Sequence, residues 1–304
     1  MKKANEAKRC GYVALIGAPN AGKSTLLNAL TGSRLAAVTP KPQTTRGRLR
    51  GIVNEGDVQI IFVDTPGVFD AKPKFERAMV AAAWSGVDEA DSILLIVDAS
   101  KGLDDETRHV VGRLKERGKP AALVLNKVDK LKDKTVLPAL AKELHGLCPF
   151  DNGFMISASR GDGVRDIVRY LASRMPEGPW LYGEDEVTDT SERDIACEIT
   201  REQCFLRLHE ELPYGLAVEH EAWEEKTKQG KRVLTIKQAI IVTRESHKKI
   251  LLGAGGAMLR SIGAASRKAQ GQALGAEVHL FLFIKVNAKW KEDADMFRKA
   301  GLEF

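Results

Sequence analysis

The sequence predicts an α/β domain with a mostly parallel sheet, followed by a smaller α+β domain. Over residues 1–175, apolar runs of strand length alternate with helical patterns, which is typical of βαβ units. Residues 176–190 mix Pro, Gly and acidic residues without periodicity, which indicates a linker. Residues 191–304 follow another order, with a helix, two strands, two helices and a last strand. These three observations predict two domains joined by a short linker.

The strands of the first domain follow from apolar runs bounded by turn residues. We expect them at residues 12–17, 49–53, 58–64, 92–98, 121–126 and 154–157. The turn EGD at 55–57 is short enough to join the second and third strands as an antiparallel hairpin. Helical patterns lie between most of the others, and two of them end at Gly32 and Gly118, where glycine suits a helix C-cap.

Size and composition indicate a soluble globular protein. The chain of 304 residues is long enough for two cores, with 43% hydrophobic and 29% charged residues. Its densest apolar run, 93–97, is far shorter than the roughly 18 residues of a membrane span. The four cysteines lack the spacing of a disulfide framework or a zinc site, and the six histidines do not cluster with them. We therefore expect a cytoplasmic protein with reduced thiols and no zinc.

The stretch GAPNAGKST at 17–25 carries the pattern GxxxxGK[ST] between a strand and a helix. Glycines let backbone N–H groups turn toward phosphate oxygens, and the helix that follows adds its positive N-terminus. Lys23 is expected to reach the terminal phosphates, and the Ser24 hydroxyl to bind Mg²⁺. The sequence therefore predicts a nucleoside-triphosphate site.

The motif DTPG at 64–67 ends an apolar strand. It places Asp64 near the metal and the Gly67 N–H near a γ-phosphate. The expected chemistry is phosphoryl transfer to water, in which the protein mainly positions groups and neutralises charge. Val68 follows the motif, where many small GTPases carry a glutamine that orients water. Hydrolysis should therefore be slow without another source of positive charge.

Two motifs at the ends of later strands point to guanine. In NKVD at 126–129, Asp129 can accept from the N1 and N2 donors of guanine, which adenine lacks, while Lys127 lies along the base. In SAS at 157–159, the Ala158 N–H is expected to meet guanine O6. The sequence therefore predicts GTP as the nucleotide. The residues predicted to bind it are Gly17, Ala18, Pro19, Asn20, Ala21, Gly22, Lys23, Ser24, Thr25, Asp64, Thr65, Pro66, Gly67, Asn126, Lys127, Asp129, Ser157, Ala158 and Ser159.

A switch loop is expected at TPKPQTTRGR, residues 39–48, because its Pro, Gly and charged residues suit a change between order and disorder. Within it, Thr45, or as a second choice Thr44, should bind Mg²⁺ together with Ser24 and Asp64. Asn20 in the phosphate loop is a candidate ligand for K⁺, with a loop-turn role as the alternative. The residues assigned to catalysis are Lys23, Thr45, Asp64, Gly67 and Asn20.

The second domain carries GAGG at 253–256 between two helical patterns. A GxxG loop placed in this way is how a KH domain clamps single-stranded nucleic acid, and the element order is that of a type II KH domain. Residues 226–285 hold 12 Lys and Arg against 2 Asp and Glu, whereas residues 191–225 hold 3 against 10. This difference in charge between neighbouring segments indicates a polyanionic partner rather than a merely solvated surface, and RNA is expected rather than DNA. The residues predicted to bind RNA are Lys248, Lys249, Gly253, Ala254, Gly255, Gly256, Arg260, Arg267 and Lys268.

Together these motifs resemble the Era family of bacterial GTPases. The resemblance is carried by GAPNAGKSTLLNAL, PQTTRGR, DTPG, NKVD, SAS, LPYG at 212–215 and ILLGAGGAMLRSIG, and it covers roughly residues 10–300. It implies GTP or GDP and Mg²⁺ as cofactors, with K⁺ at Asn20. It also implies binding near the 3′ end of small-subunit (16S) ribosomal RNA by the GTP-bound form, and a role in 30S subunit maturation. We expect a cytoplasmic monomer with peripheral association with the inner membrane.

The RNA surface departs from the family pattern at one point. The middle pair of the loop is Ala254-Gly255, where Era-like loops often carry lysine. The last strand, 277–286, is expected to supply core rather than a platform for stacked bases, because its exposed alternate residues are not obviously aromatic. RNA contact is therefore expected from backbone N–H groups of the loop and from the flanking Lys and Arg.

Two other functions stay open from the sequence. A membrane-associated cell-cycle signalling GTPase would meet anionic lipid with its basic face and would not require the GxxG loop. A passive RNA chaperone would use the GTPase fold only as a support. In that case Lys23→Ala would leave ribosome assembly unchanged.

Overall fold

A computed structural model describes residues 8–42, 44–69, 73–210, 212–293 and 302. The chain forms two compact units. The first includes the described residues up to Leu35 together with Thr45–Asp189, and the second includes those of Ala36–Thr44 and Thr190–Lys299. No helix in these described stretches combines the length and the apolar character needed to cross a membrane.

The first unit contains a six-stranded sheet in the order β2-β3-β1-β4-β5-β6. Its strands are β1 Arg9–Ile16, β2 Leu49–Glu55, β3 Val58–Asp64, β4 Ser92–Asp98, β5 Ala121–Asn126 and β6 Asn152–Met155. All neighbouring pairs are parallel except β2 and β3, which form the antiparallel hairpin expected from the short turn between them. The prediction of a mostly parallel α/β sheet is therefore confirmed.

Helices cover this sheet and leave one edge for the loops. They are α1 Lys23–Thr31, α2 Lys74–Glu89, α3 Asp105–Arg117, α4 Val136–Leu147 and α5 Val164–Ala172. β3 and β5 are buried along their whole length, as expected for strands of a sheet covered on both faces. Because β1, β3, β4 and β5 run parallel, their carboxyl ends meet at one edge, where ligands of such sheets bind.

Most of the segment predicted as a linker packs along the β2–β3 edge of the first unit. The Gln59 side chain is fully buried, and its Oε1 accepts from the N–H groups of Leu181 and Tyr182 at 2.9 and 3.0 Å. The Ile52 N–H donates to the Val187 carbonyl at 2.9 Å. These bonds join the segment to residues of β2 and β3 that are more than 100 positions away in the chain, so the lack of periodicity in the segment did not indicate them.

The second unit packs three helices on a three-stranded sheet. The helices are α6 Glu192–Arg207, α7 Glu245–Leu252 and α8 Ala257–Leu274, and the strands are β7 Leu216–Lys228, β8 Lys231–Val242 and β9 Glu277–Val286. β7 pairs antiparallel with the central strand β8, and β8 pairs parallel with β9. The observed order is the helix, two strands, two helices and strand that the sequence predicted.

The core of the second unit is apolar with a polar network inside it. Leu216, Ile240 and Ile262 are fully buried in one apolar cluster. Gln238 is also buried, and its Oε1 accepts from the Thr200 hydroxyl at 2.6 Å. Buried polar groups need such partners, because an unpaired one loses its hydration without compensation.

The expectation for the last strand is wrong in one respect. The outward alternates of β9 include Phe281 and Phe283, which are 51% and 50% exposed. The intervening residues Leu282 and Ile284 pack against the core cluster. Glu277, His279 and Lys285 lie on the same outward face, so the alternation in the sequence already placed both phenylalanines among exposed residues.

Candidate nucleotide and nucleic-acid sites

The phosphate loop connects β1 to α1 at the carboxyl edge of the first sheet. Gly22 precedes α1 with φ of 101°, in the left-handed region that favours glycine. A Cβ at this position would lie 2.2 Å from Asn126 Nδ2, so a side chain would also collide with the guanine motif. The second glycine of GxxxxGK is therefore required both by the turn and by the close approach of Asn126.

Backbone carbonyl groups of the phosphate loop hold the Lys23 side chain in this structure. Its Nζ donates to the carbonyl oxygens of Gly17 and Ala18, each at 3.0 Å, and the residue is 5% exposed. Burial lowers the pKa of Lys23 to about 8, and the nearby Asp64 offsets only part of that effect. A buried ammonium group with a lowered pKa is suited to pair with an anion.

Three side-chain oxygens from separate segments converge next to Lys23. Ser24 Oγ lies 2.7 Å from Asp64 Oδ2 and 2.7 Å from Thr45 Oγ1, and Thr45 Oγ1 lies 3.1 Å from Asp64 Oδ2. Hydroxyl and carboxylate oxygens are the ligands that Mg²⁺ prefers, so this donor set fits that ion. The Thr44 hydroxyl instead contacts the Thr39 hydroxyl at 2.8 Å, which places Thr45 and not Thr44 in the set.

The segment after Asp64 approaches the phosphate loop closely. A Cβ on Gly67 would lie 3.0 Å from the Pro19 Cα, so only glycine lets the two backbones meet without displacement. The Val68 N–H donates to the Gly17 carbonyl at 3.3 Å, and the Val68 side chain is fully buried in apolar core. Val68 therefore offers no group to orient water. The Thr65 hydroxyl donates to the Leu15 carbonyl and faces β1.

The guanine motifs lie at the ends of β5 and β6. Asn126 ties them to the phosphate loop, because its Nδ2 donates to the Ala21 carbonyl at 3.0 Å. The Ala158 N–H, expected to meet guanine O6, donates to Asn126 Oδ1 at 3.1 Å in this structure. The Ser157 hydroxyl donates to Asp129 at 2.6 Å and holds the pKa of that carboxyl below its usual range. Asp129 is therefore an ionised acceptor at neutral pH.

Lys127 completes this part of the site in an unusual conformation. Its φ of 64° is left-handed, which is uncommon for a residue with a side chain. Its Nζ contacts the Asn20 carbonyl and Asp98 Oδ2, the latter at 2.6 Å. Asn20 also has a positive φ of 62°. Asp98 belongs to none of the sequence motifs, although it ends an apolar strand as Asp64 does.

The GxxG loop lies between α7 and α8 as predicted. Gly253 ends α7 with φ of 70°, and a Cβ there would lie 2.9 Å from the backbone nitrogen of Met258. Ala254 and Gly255 are exposed at the tip, and α8 begins at Ala257. The loop therefore presents backbone to solvent without a bulky or charged side chain at its tip.

Basic side chains flank this loop on both helices. Lys249 lies on α7 and Arg260, Arg267 and Lys268 lie on α8, all exposed, while Lys248 is half-buried. None of the five forms a salt bridge with another described residue. Their charge is therefore available to a phosphate backbone, which is the pattern that a nucleic-acid surface requires.

The fold and these sites define a P-loop GTPase domain followed by a KH domain. A family model described as a 50S ribosome-binding GTPase matches residues 12–127, and a KH-domain model matches residues 211–291. The chain is 50% identical over 296 residues to the GTPase Era of Brucella melitensis biotype 1, covering 97% of this chain and 94% of that protein. It is 49% identical over 302 residues to the GTPase Era of Bradyrhizobium diazoefficiens, covering 99% and 97%.

Two solved structures resemble the whole chain. One is Era in complex with MgGDPNP and nucleotides 1506–1542 of 16S ribosomal RNA, with a TM-score of 0.90, 36% identity and coverage of 98% of this chain and all of that one. The other is an Aquifex aeolicus Era variant bound to GDP·AlF4⁻, with a TM-score of 0.89, 36% identity and coverage of 97% and 100%. The chain belongs to the Era family and is a GTPase, as its motifs predicted.

Proposed function

We propose that this protein is a Mg²⁺-dependent GTP-hydrolysing switch that binds the 3′ region of small-subunit ribosomal RNA and assists 30S subunit maturation. The observation that carries the nucleotide part is the convergence of Ser24, Thr45 and Asp64 oxygens beside buried Lys23. The RNA part is supported by the exposed GxxG loop with its unpaired basic flanks. The complex of the Era relative with nucleotides 1506–1542 of 16S rRNA supports the same partner.

Each residue of the phosphate site has a defined task in this proposal. Lys23 exchanges its carbonyl contacts for terminal phosphate oxygens, and backbone N–H groups of 17–25 surround the remaining phosphate charge. Mg²⁺ held by Ser24 and Thr45, with Asp64, would neutralise charge on the phosphates. The Gly67 N–H meets the γ-phosphate, so the switch segments 39–48 and 64–70 read whether that phosphate is present.

The residues around the phosphate site account for the selection of guanine and for a slow rate of GTP hydrolysis. Ionised Asp129 accepts from guanine N1 and N2, and the 157–159 loop closes around the base edge. Val68 is buried in apolar core and offers no group in place of the missing glutamine, so intrinsic hydrolysis is slow. Asn20 would hold K⁺ next to the phosphates, and the ion would supply positive charge that stabilises the charge developing there.

RNA is held by the loop backbone and by the basic helices. A GxxG loop clamps about four nucleotides through their backbone, so a tip of Ala254 and Gly255 suffices for the clamp. The proposal places the protein in the cytoplasm as a monomer that acts on the 30S subunit. Peripheral association with the inner membrane uses the same basic charge and competes with RNA.

Crosslinking in cells tests the RNA partner. The protein and its Ala254→Asp variant are crosslinked to RNA and the recovered RNA is sequenced, with Ala254→Ser as the matched control. Ala254 is exposed, so the aspartate adds repulsion without a steric clash. Enrichment of the small-subunit rRNA 3′ region that Ala254→Asp abolishes and Ala254→Ser preserves is the expected result. Diffuse recovery insensitive to Ala254→Asp would contradict the proposal and favour the lipid-binding function.

A further inference from the structure

Asp98 ends β4 beside the guanine motif. It lies in register with Asn126 of β5 and is 8% exposed. Its Oδ2 accepts from Lys127 Nζ at 2.6 Å, and the same Nζ also contacts the Asn20 carbonyl of the phosphate loop. The Lys127 side chain is therefore fixed at its tip by two partners, of which only Asp98 is charged.

The carboxylate is itself anchored on its other side. Asp98 Oδ1 accepts from the Ser100 N–H at 3.1 Å and from the Ser100 hydroxyl at 2.6 Å. Burial raises the pKa of Asp98, but the hydrogen bonds from Lys127 and Ser100 outweigh burial and hold that pKa below its usual value. Asp98 is thus an ionised group with hydrogen bonds on both carboxylate oxygens.

We infer that Asp98 is a positioning residue for guanine nucleotide binding, which it supports by fixing Lys127 before the base arrives. This inference rests on the proposed nucleotide site. A free lysine side chain has many rotamers, and a base that packs against its aliphatic stem would have to immobilise it. With Nζ already held by Asp98 and the Asn20 carbonyl, the stem of Lys127 presents a preformed apolar wall to one face of the base.

The near-isosteric variant Asp98→Asn isolates this contact. The Ser100 N–H is a fixed donor, so the amide oxygen of the asparagine has to remain on the Ser100 side. The amide NH₂ then faces the Lys127 ammonium group, and two donors repel each other. Ser100→Ala is the matched control, because it removes one hydrogen bond to Asp98 and leaves the Lys127 contact in place.

The experiment is a double-mutant cycle on the full-length protein. Dissociation of a fluorescent GDP analogue is followed by stopped flow for Asp98→Asn, Lys127→Met and the double variant. Loss of a charge-assisted hydrogen bond predicts about ten-fold faster dissociation for each single variant. The double variant should match Lys127→Met alone, since Asp98 acts through Lys127. In Asp98→Asn the effect should fall on the KM for GTP rather than on kcat, because Asp98 contacts Lys127 and Ser100 and none of the residues assigned to the phosphates.

The outcomes separate this inference from the proposed function. If Lys127→Met leaves dissociation unchanged, the proposed base contact itself is wrong. If Lys127→Met accelerates dissociation and Asp98→Asn does not, or if the two effects multiply in the double variant, the role of Asp98 is refuted. Thermal unfolding of the nucleotide-free variants checks their folding. Asp98→Ala removes the same carboxylate without placing an amide beside Lys127, and it replaces Asp98→Asn in the cycle if the asparagine variant does not fold.

Discussion

Raising the pH should weaken nucleotide binding through a single residue, Lys23. Burial lowers its pKa from 10.5 to about 8 in the nucleotide-free protein. Phosphate oxygens around the ammonium group would raise that pKa again, because an opposite charge favours the charged form. Binding above pH 8 therefore requires uptake of a proton, and the affinity falls as the pH rises.

The magnitude follows from the fraction of Lys23 that is charged before binding. With a pKa of about 8, roughly nine-tenths is protonated at about pH 7 and roughly one-tenth at about pH 9. Affinity for GDP should accordingly fall about ten-fold between these two pH values. Lys23→Arg is the control, since arginine stays protonated and any remaining pH dependence then belongs to the nucleotide.

The stability of the nucleotide-free protein should change in the opposite direction. A folded-state pKa of about 8 against 10.5 means that the charged form costs the fold about 3 kcal/mol at neutral pH. Between these two values the unfolded chain binds more protons than the folded one, so this contribution to stability improves with rising pH. Thermal unfolding from about pH 7.5 to about pH 10 measures it, relative to Lys23→Arg.

Isothermal titration of GDP in buffers of different ionisation enthalpy counts the protons taken up. The expected uptake is near zero at pH 7 and approaches one proton at pH 9. Equal affinity at both pH values for the wild type, or the same decline in Lys23→Arg, would refute the assignment of Lys23.

Three further substitutions test other parts of the site and fold. Asp129→Asn should weaken GTP binding about a hundred-fold and shift the preference toward the xanthine nucleotide. Competition binding measures this preference, and an unchanged preference for GTP would rule out Asp129 as the residue that recognises the base. Thr45→Ala should slow hydrolysis about ten-fold and raise the Mg²⁺ concentration that hydrolysis requires. The control Thr44→Ala should behave as wild type. Equal effects of the two substitutions would contradict the placement of Thr45, and not Thr44, beside Ser24 and Asp64. Gln59→Leu should destabilise the fold by about 1–3 kcal/mol, because two backbone N–H groups lose their acceptor; unchanged hydrogen exchange at residues 181 and 182 would show that those bonds do not hold the segment.

The sequence was informative where a local pattern fixes the structure. The apolar runs of β3, β4 and β5 end at Asp64, Asp98 and Asn126, and the runs matched the strands because buried parallel strands require continuous apolar residues. The phosphate loop could also be predicted from the sequence, because its glycines are needed for the turn itself. Both signals depend on neighbours in the chain.

What the sequence did not indicate depends on contacts between distant residues. A lone aspartate at a strand end is not a motif, and the role of Asp98 follows only from the position of Lys127, 29 residues away. The sequence already favoured Thr45 over Thr44, and the distances from Thr45 to Ser24 and Asp64 agree with that choice. The exposed phenylalanines of β9 are a different case, because Glu277, His279 and Lys285 alternate with apolar residues and the pattern alone places Phe281 and Phe283 on their face.

The binding of a small-subunit rRNA 3′ oligonucleotide, measured with GDP and with a non-hydrolysable GTP analogue, tests the central claim most directly. Fluorescence anisotropy on the full-length protein gives both affinities, with Ala254→Asp as the reference for lost clamping. The account predicts tighter binding with the GTP analogue than with GDP, and loss of that binding in Ala254→Asp. Identical affinity in the two nucleotide states would contradict the claim that GTP controls RNA binding.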